Sequence, residues 1–432
     1  MGINNKVFKN ATWIVATKIL QSLISLVIGM ISARYLGPSG YGLITYASSI
    51  VTFIVPLVQL GFRNTIVQEL ISEPEREGTV MGTVLVSCMV SSIFGMIGVT
   101  SFAAIVNRGE RDTIIVCALY SITLFFQMSE MIEYWFQSKL ISKYISVTSL
   151  VAYTLVSLYR VYLLVTQKSI YWFAVVNALD YLLIAIALLV IYKKLGGQRL
   201  SFSFDLCKKM FGRSRHYIVS GLMVTIFSQT DRIMLKLMMD NAEAGYYSAA
   251  VTCAGVTSFV FLAVVDSFRP VILGDKKEGK ASYTDNLKRL FCIIIYMGLA
   301  QSLVLCLMSG FIIKVLYGAD YAAAAPVLAI VTWYTSFSYI GSARNIWILA
   351  EQKQSVLWII NLSGAVLNVV GNAVLIPTLG ACGAAAASVL TQFFTNFVLC
   401  FIIKPVRPCG GMLIRSFNPN LLIGMLVKKR KS

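Results

Sequence analysis

The chain has 432 residues, of which 57% are hydrophobic and 13% are charged, and its formal net charge is +18. This composition, with a mean hydropathy of +0.76, excludes an ordinary soluble domain and predicts an all-α, polytopic membrane protein. The single His and nine Cys, which form no CxxC pair, argue against His-based catalysis, a disulfide framework and a zinc site. We therefore expect neither a catalytic residue nor a metal or other cofactor.

Twelve apolar segments are each long enough to cross about 30 Å of hydrocarbon. Tight turns at Gly37–Gly40 and Thr378–Ala381 separate two pairs of them. The segments lie near residues 11–34, 43–62, 79–105, 113–135, 144–166, 170–191, 217–239, 246–268, 290–313, 323–345, 355–378 and 381–404. A further apolar stretch, 419–427, is too short to span and is interpreted as interfacial.

The distribution of basic residues predicts the orientation. Most of the 37 Lys and Arg residues fall in the N-terminus, the even-numbered loops and the C-terminus. The positive-inside rule therefore places both termini in the cytoplasm. The positive charge serves orientation and contact with anionic membrane lipid, especially at loops 192–216 and 269–289, so we expect no nucleic-acid partner.

An internal repeat divides the spans into two sets of six. Gly42-Leu-Ile-Thr-Tyr-Ala47 opens the second span, and Gly245-Tyr-Tyr-Ser-Ala-Ala250 opens the eighth. Both halves start in the cytoplasm, so the repeat is parallel. We expect two six-helix lobes around a central cleft. The predicted domains are an N-terminal lobe (1–192), a basic cytoplasmic linker (193–216), a C-terminal lobe (217–404) and a basic cytoplasmic tail (405–432).

Several predicted spans carry polar residues at helical spacing, which places each set on one helical face. The seventh span has Thr225, Gln229, Arg232 and Lys236, with Asp231 beside them, and the first has Lys18, Gln21, Ser22, Ser25 and Gly29. The second has Thr45, Ser48, Thr52, Pro56 and Gln59, and the eleventh has Asn361, Asn368 and Asn372. The sets in the second and eleventh spans are interpreted either as cleft-lining or as helix–helix contacts.

Charges inside a membrane are costly and mark functional sites. Lys18 and Arg232 lie deep in their spans, which favours a water-filled cationic cleft. Lys236 is close enough to the outer end either to serve the cleft or to snorkel, and Arg160 is interpreted as snorkelling. Asp231 and Asp180 are candidates for ion coupling, although Asp231 also fits an intrahelical partner and Asp180 a partner for a cation on a neighbouring helix.

Five segments in order resemble one family. They are Ala33–Leu43, Glu133–Gln137 with Lys143-Tyr144, Asp231–Leu235 followed by Gly245–Ala249, Leu316–Pro326 and Asn368–Ala386. Together they strongly resemble bacterial polysaccharide flippases, the O-antigen and capsule repeat-unit exporters of the multidrug/oligosaccharidyl-lipid/polysaccharide exporter superfamily. The resemblance covers about residues 6–404.

This resemblance implies two lobes around a cationic cavity bounded by the first, second, seventh and eighth spans. It implies transport of undecaprenyl-diphosphate-linked oligosaccharide across the bacterial cytoplasmic membrane, with a glycan polymerase and a chain-length regulator as possible partners. Lys18, Arg232 and Lys236, with Gln21 and Gln229, would then bind the diphosphate or acidic sugars.

Two other functions remain open. A drug or cation antiporter of the same superfamily predicts acidic residues in the cleft, against the balance of charge here. A membrane-embedded polysaccharide polymerase predicts a sizeable outer loop, whereas the outer loops are short. The sequence has no GxxxxGK[ST] motif, so we expect the energy to come from an ion gradient, the membrane potential or consumption of the substrate outside.

Overall fold

The computed structural model describes the backbone of residues 2–419 and the side chains of residues 20–419 apart from Leu23 and Asn64. Regular structure in this part of the chain is helical. The chain divides into two compact units, Met1–Gln229 (unit 1) and Thr230–Ser432 (unit 2). The boundary between them falls inside a single helix, Phe204–Met238, rather than in the loop before it.

Unit 1 contains seven complete helices and most of an eighth. They are α1 (Gly2–Val58), α2 (Ile66–Ser72), α3 (Glu77–Val106), α4 (Arg111–Phe126), α5 (Ser129–Ser138), α6 (Lys143–Val165), α7 (Ile170–Lys194) and α8 (Phe204–Met238). α1 is broken at Gly37, whose φ of 67° favours glycine because it lies in the left-handed region. The break coincides with the predicted turn between the first two spans.

The core of unit 1 is built from buried apolar side chains on several helices. Met81 and Val84 of α3, Trp135 and Phe136 of α5, and Leu188 of α7 belong to one cluster. A second, smaller cluster joins α6 and α7. The second cluster also packs against Leu36 and Ile44 of α1.

As far as Pro419, where the described residues end, unit 2 contains eight further α-helices. They are α9 (Asn241–Ala254), α10 (Ser258–Lys277), α11 (Ser282–Leu307), α12 (Ser309–Tyr317), α13 (Ala324–Ala350), α14 (Leu357–Phe393), α15 (Leu399–Ile402) and α16 (Arg407–Arg415). A π-helical turn, Phe394–Val398, separates α14 from α15. The core packs α11 against α13, with Phe291, Ile294, Ala343 and Trp347 among its buried side chains.

α14 is also broken, at Gly380 (φ 54°), where the sequence predicts the turn between the last two spans. Beyond the break, the Ala381 backbone N–H donates to Glu243 Oε2 at 2.6 Å. Glu243 lies in the first turn of α9, where the Asp240 side chain caps the helix by accepting from the Glu243 backbone N–H at 2.9 Å. A carboxylate at the start of a helical segment satisfies free N–H groups and complements the helix dipole.

Length and composition indicate several membrane crossings. Within the described residues, seven helical stretches are long and apolar enough to span a membrane, or eight if α9 and α10, which are bent by 46°, form one span. α1 and α14 each cover two predicted spans, whereas α8 and α13 are not among the seven. The chain is therefore a multi-pass membrane protein, and the count of twelve spans and the cytoplasmic termini stay predictions.

Of the segment predicted as a linker, 193–216, residues 198–203 lie against α3 and residues 204–216 form the start of α8. The Ser201 backbone N–H donates to the Gly78 carbonyl oxygen at 3.3 Å, and the Ser203 backbone N–H donates to Thr83 Oγ1 at 3.0 Å. A Cβ atom at Gly82 would lie 2.3 Å from the Ser201 carbonyl oxygen, so glycine permits this close approach. The predicted tail, 405–432, begins with α16, and its residues 420–432, including most of the apolar stretch 419–427, lie outside the described residues.

Candidate functional site

Asp231 lies buried near the end of α8 in unit 2, with 4% of its surface exposed. Its Oδ1 atom accepts hydrogen bonds from Asn368 Nδ2 at 2.9 Å and from Asn372 Nδ2 at 2.6 Å. Its Oδ2 atom accepts from Ser388 Oγ at 2.5 Å and from the Tyr247 hydroxyl. Two hydrogen bonds to each oxygen fill the usual acceptor capacity of a carboxylate, so Asp231 is a fully hydrogen-bonded buried anion.

Small residues in α14 allow these partners to meet. A Cβ atom at Gly371 would lie 3.1 Å from Ala387 Cβ, and one at Gly383 would lie 2.3 Å from the Leu375 carbonyl oxygen. The two halves of α14 therefore pack closely on either side of Gly380, as glycine and alanine permit. This places the two asparagines before the break and the serine after it around one carboxylate.

The two cations predicted for the seventh span follow Asp231 on α8. Arg232 is half-buried, and its Nε donates to Ser248 Oγ of α9 at 3.1 Å. Lys236 is only 7% exposed, which favours a position facing protein over one that snorkels to head groups. The last two turns of α8 thus concentrate two positive charges beside one hydrogen-bonded negative charge.

The other predicted binding residues belong to unit 1. Gln229, the last residue of that unit, is half-buried and its Nε2 donates to Ser228 Oγ at 3.2 Å. Gln21 is half-buried on α1. The side chain of Lys18 lies outside the described residues. A shared binding role for Lys18, Gln21, Gln229, Arg232 and Lys236 therefore stays a prediction.

Unit 1 contains a cavity of about 890 Å³ among α1, α4, α6, α7 and α8, which we call the unit 1 cavity. Four of the five polar-stripe residues predicted in the second span line it, and Thr225 of the seventh span lines it as well. The four are Ser48, Thr52, Pro56 and Gln59. Most of this stripe therefore faces a cavity within unit 1, and its predicted place in a cleft between two lobes stays a prediction.

Charged residues also line the unit 1 cavity. Arg160 of α6 does not simply snorkel, because it faces the cavity and its Nη2 donates to Asn177 Oδ1 of α7. Asn177 Nδ2 in turn donates to the Tyr120 hydroxyl at 2.6 Å. Asp180 lies one helical turn beyond Asn177, and its buried Oδ1 has no hydrogen-bond partner among the described residues. The two acids predicted for ion coupling thus differ sharply in their hydrogen bonding.

A second carboxylate lies next to the cavity. Glu130 Oε2 accepts from Gln59 Nε2 at 2.9 Å, and Glu130 Oε1 accepts from Gln127 Nε2 at 3.1 Å. Both glutamines line the cavity. Sequence reasoning missed Glu130, although its spacing with Glu133 and Gln137 along α5 places the three on one polar face and was an available signal.

Sequence reasoning also missed the burial of Arg344. This residue is 4% exposed within α13, near the end of the tenth predicted span. Its Nη1 donates to the Thr395 carbonyl oxygen at 2.7 Å, and its Nη2 donates to Asn345 Oδ1 at 3.1 Å. Thr395 lies in the π-helical turn. A charged residue inside an apolar run was the available signal.

No group of three or more His, Cys, Asp or Glu residues within the described part of the chain is placed to hold a metal ion.

Known proteins resemble this chain both in sequence and in fold. A family model described as "Polysaccharide biosynthesis protein" matches residues 7–273. An uncharacterized membrane protein of Methanocaldococcus jannaschii is 27% identical over 241 residues. That match covers 52% of this chain and 47% of the relative, so this chain spans about half the length of the curated relative.

Three solved structures share the fold. The lipid II flippase MurJ, in an inward closed conformation, matches with a TM-score of 0.66 at 15% sequence identity. The match covers 95% of this chain and 92% of the MurJ chain. An inward-facing multidrug resistance MATE family transporter of the MOP superfamily matches with a TM-score of 0.64 at 13% sequence identity. The match covers 90% of this chain and 94% of the transporter. A MOP superfamily transporter from Pyrococcus furiosus matches with a TM-score of 0.58 at 12% sequence identity. The match covers 93% of this chain and 95% of the transporter.

At these identities the three likenesses establish the fold, which is that of MOP superfamily transporters. The family model covers more than half of the sequence and includes every residue of the unit 1 cavity together with Asp231, Arg232 and Lys236. This chain therefore belongs to the polysaccharide biosynthesis protein family.

Proposed function

We propose that this protein is a flippase that moves undecaprenyl-diphosphate-linked oligosaccharide repeat units from the inner to the outer leaflet of the bacterial cytoplasmic membrane. It would thereby supply the synthesis of a surface polysaccharide. The observation that carries the proposal is a polysaccharide biosynthesis family match on a chain with the fold of a lipid II flippase. A glycan polymerase and a chain-length regulator are proposed as partners.

The cations of α8 suit such a substrate. Arg232 has a planar guanidinium that can bind two phosphate oxygens at once, and Lys236 adds a point charge one turn further along. Both carry positive charge within a predicted span, where a buried cation is otherwise costly. Together with Lys18, Gln21 and Gln229, they would bind the diphosphate, while the polyprenyl chain stays in lipid.

Of the two acids proposed for ion coupling, Asp180 fits that role better. A coupling carboxylate must gain and lose an ion during the cycle, so its oxygens should not all be held by hydrogen bonds. Asp180 has an oxygen without a hydrogen-bond partner among the described residues and lines a cavity. Asp231 already accepts four hydrogen bonds, which suits a carboxylate that holds helices together.

A second candidate function is a drug or cation antiporter. Two observations favour it: the fold is also that of a MATE transporter, and the unit 1 cavity contains the carboxylate of Asp180. The cations of α8 argue against it, because Arg232 and Lys236 would repel a cationic solute. A membrane-embedded polymerase is less favoured still, because the solved structures that share the fold are transporters.

The test is complementation of a bacterial strain that lacks its polysaccharide flippase. Wild type, Arg232→Ala, Lys236→Ala and Lys18→Ala are expressed at matched membrane levels, with Lys168→Ala as an exposed cationic control. We expect wild type and Lys168→Ala to restore surface glycan. The other variants should accumulate the lipid-linked repeat unit on the cytoplasmic side.

Two results would contradict the proposal. If all variants restore surface glycan equally, the cations of α8 and Lys18 do not bind the substrate. If wild type restores no glycan but extrudes ethidium from cells, the antiporter function replaces the flippase.

A further inference from the structure

The bend between α9 and α10 has a different origin from the breaks in α1 and α14. The two helices meet at an angle of 46°. The breaks in α1 and α14 lie at glycines with positive φ, whereas Gly255 and Thr257, next to this bend, have φ of −82° and −86°. Residues 254–258 contain no proline, and Gly255 permits a bend without imposing one. The local sequence is therefore compatible with one continuous helix.

A side chain of α11 satisfies the backbone at the bend. Gln301 Nε2 donates to the carbonyl oxygen of Ala254, the last residue of α9, at 3.0 Å. In a continuous helix this oxygen would accept from the Ser258 backbone N–H, which instead donates to the Gly255 carbonyl oxygen at 3.0 Å. Gln301 Oε1 accepts from Thr257 Oγ1 at 2.5 Å. One amide group thus replaces a helical hydrogen bond and contacts both sides of the bend.

Gln301 is itself held in place by the packing of α11 on α13. Its Nε2 also donates to Thr335 Oγ1 at 3.2 Å. On the next residue, Ser302 Oγ donates to the Thr332 carbonyl oxygen at 3.1 Å and lies 2.6 Å from Ser336 Oγ. A buried amide without partners would be costly in an apolar span. The partners of Gln301 therefore fix both its position and the orientation of its amide.

The direction of α9 matters because this helix contacts the candidate site. Ser248 Oγ accepts from Arg232 Nε at 3.1 Å, and the Tyr247 hydroxyl donates to Asp231. Ser248 lies about 9 Å before Ala254 along the helix. If the 46° bend straightened fully, Ser248 would be displaced by about 7 Å relative to α10. The contacts of α9 with the site therefore depend on the bend.

We propose that Gln301 is a positioning residue, which sets the bend between α9 and α10 and thereby places Ser248 against Arg232. The effect on transport rests on the flippase function proposed above, in which Arg232 binds the diphosphate, whereas the bend itself does not depend on the substrate. Without the Gln301 amide, the Ser258 backbone N–H pairs with the Ala254 carbonyl oxygen, and α9 and α10 approach one continuous helix.

Distances between two spin labels measure the bend in the full-length protein in lipid nanodiscs. Genetically encoded labels at Met239, before α9, and at Val271 of α10 occupy positions that are 43% and 49% exposed. Such labels do not require removal of the nine native cysteines. Gln301→Met keeps the length of the side chain and removes the amide. We expect this variant to lengthen the distance between the labels by about 4 Å, as the helix rise and the 46° bend require.

Two further variants separate the bend from general stability. Ser302→Ala is the matched control, because Ser302 neighbours Gln301 and its hydrogen bonds go to α13 rather than to the bend. It should keep the wild-type distance. Adding Ser258→Pro to Gln301→Met should restore that distance. A proline at this position has no N–H, and its ring clashes with the Ala254 carbonyl oxygen of a straight helix.

Glycan export by a strain that lacks its flippase measures the effect on the site. Gln301→Met should lower the export rate about tenfold or more, because small displacements of binding groups are costly. Ser302→Ala should export as wild type, and the double variant with Ser258→Pro should recover most of the loss. A purely stabilising role of Gln301 predicts no recovery, since proline restores none of its hydrogen bonds. Gln301→Asn, shorter by one methylene, should give the same lengthening if Gln301→Met does not fold.

The outcomes separate this inference from the proposed function. An unchanged label distance in Gln301→Met or in Gln301→Asn would show that Gln301 does not set the bend, and would overturn the inference. A lengthened distance with wild-type export would overturn it as well, because the bend would not position the site. If wild type itself exports no glycan, the flippase function fails, and the label distances alone decide whether Gln301 sets the bend.

Discussion

Asn372 Nδ2 donates to Asp231 Oδ1 across 2.6 Å, which joins the first half of α14 to the end of α8 within unit 2. The same carboxylate accepts three further hydrogen bonds, from Asn368, Ser388 and Tyr247. One anion thereby fixes α8, α9 and both halves of α14 next to the cations Arg232 and Lys236. The two cations proposed to bind the substrate thus lie on a helix end that the hydrogen bonds of Asp231 tie to α9 and α14.

Replacing Asp231 by alanine should destabilise unit 2 strongly. The substitution leaves four buried donors without their acceptor, for which we expect a loss of about 3–5 kcal/mol. Thermal unfolding of the purified protein in detergent measures the effect. Asp266→Ala, which removes a carboxylate whose side chain is 64% exposed, should change stability by less than about 0.5 kcal/mol. Equal effects of the two substitutions would show that the hydrogen-bonded hub is unimportant.

Asp180→Asn should act in the opposite way on stability. Its buried Oδ1 has no hydrogen-bond partner among the described residues, and a neutral amide is less costly to bury than an unpaired carboxylate. We expect unchanged or higher thermal stability together with loss of ion-dependent glycan export. Export is followed in right-side-out vesicles with an imposed ion gradient. Asp112→Asn, at an exposed position, is the control, and full export by Asp180→Asn would exclude Asp180 as the coupling residue.

Substitution by alanine should change the stability of the protein in opposite directions at two glycines of α3. At Gly82 a Cβ atom would meet the Ser201 backbone at 2.3–2.6 Å, whereas at Gly98 it meets nothing within 4 Å. Gly82→Ala should therefore cost about 1–3 kcal/mol by displacing the segment around Ser201. Gly98→Ala should be neutral or stabilising by about 0.5–1 kcal/mol, because alanine favours helix.

Limited proteolysis complements the melting temperatures of these two variants. We expect faster cleavage between residues 195 and 203 in Gly82→Ala only. Comparable cleavage in Gly82→Ala and wild type would show that the segment does not need the glycine to lie against α3.

A pH-dependent ion pair joins α2 to the beginning of α8. Lys209 Nζ donates to Glu73 Oε1 at 3.1 Å and to Glu69 Oε1 at 2.7 Å. The hydrogen bond and the charge of Lys209 lower the pKa of Glu73 below its ordinary value of 4.5. A lowered pKa in the folded state means that the contribution to stability is complete above the ordinary pKa and is lost as pH falls through the folded pKa.

Glu73→Gln tests that dependence. At about pH 6 the variant should melt slightly below wild type, and the difference should vanish as the pH falls through the lowered pKa of Glu73, where the wild-type carboxylate becomes protonated. Melting temperatures across this range measure it. A difference that does not change with pH would mean that Glu73 contributes by packing and not by charge.

The sequence by itself determined the local features of this protein. Helical periodicity placed Asn368 and Asn372 on one face of a span, and the stripe from Ser48 to Gln59 on one face of another. Both breaks, at Gly37 and Gly380, were predicted from turn residues, because a positive φ depends on the residue at that position. The apolar spans and the membrane class followed from composition, since hydrocarbon thickness sets the length of a span.

Only the tertiary structure decided which of these faces meet. Asp231 contacts Asn368 and Asn372, which are 137 and 141 residues away in sequence, and periodicity along one helix contains no information about its neighbours. For the same reason Arg160 was interpreted as snorkelling, although it lines a cavity with Asp180, and Arg344 was not recognised as buried. The partner of a charge in a membrane protein depends on helix packing, and packing depends on the fit of small residues such as Gly371 and Gly383 at positions where two helices approach.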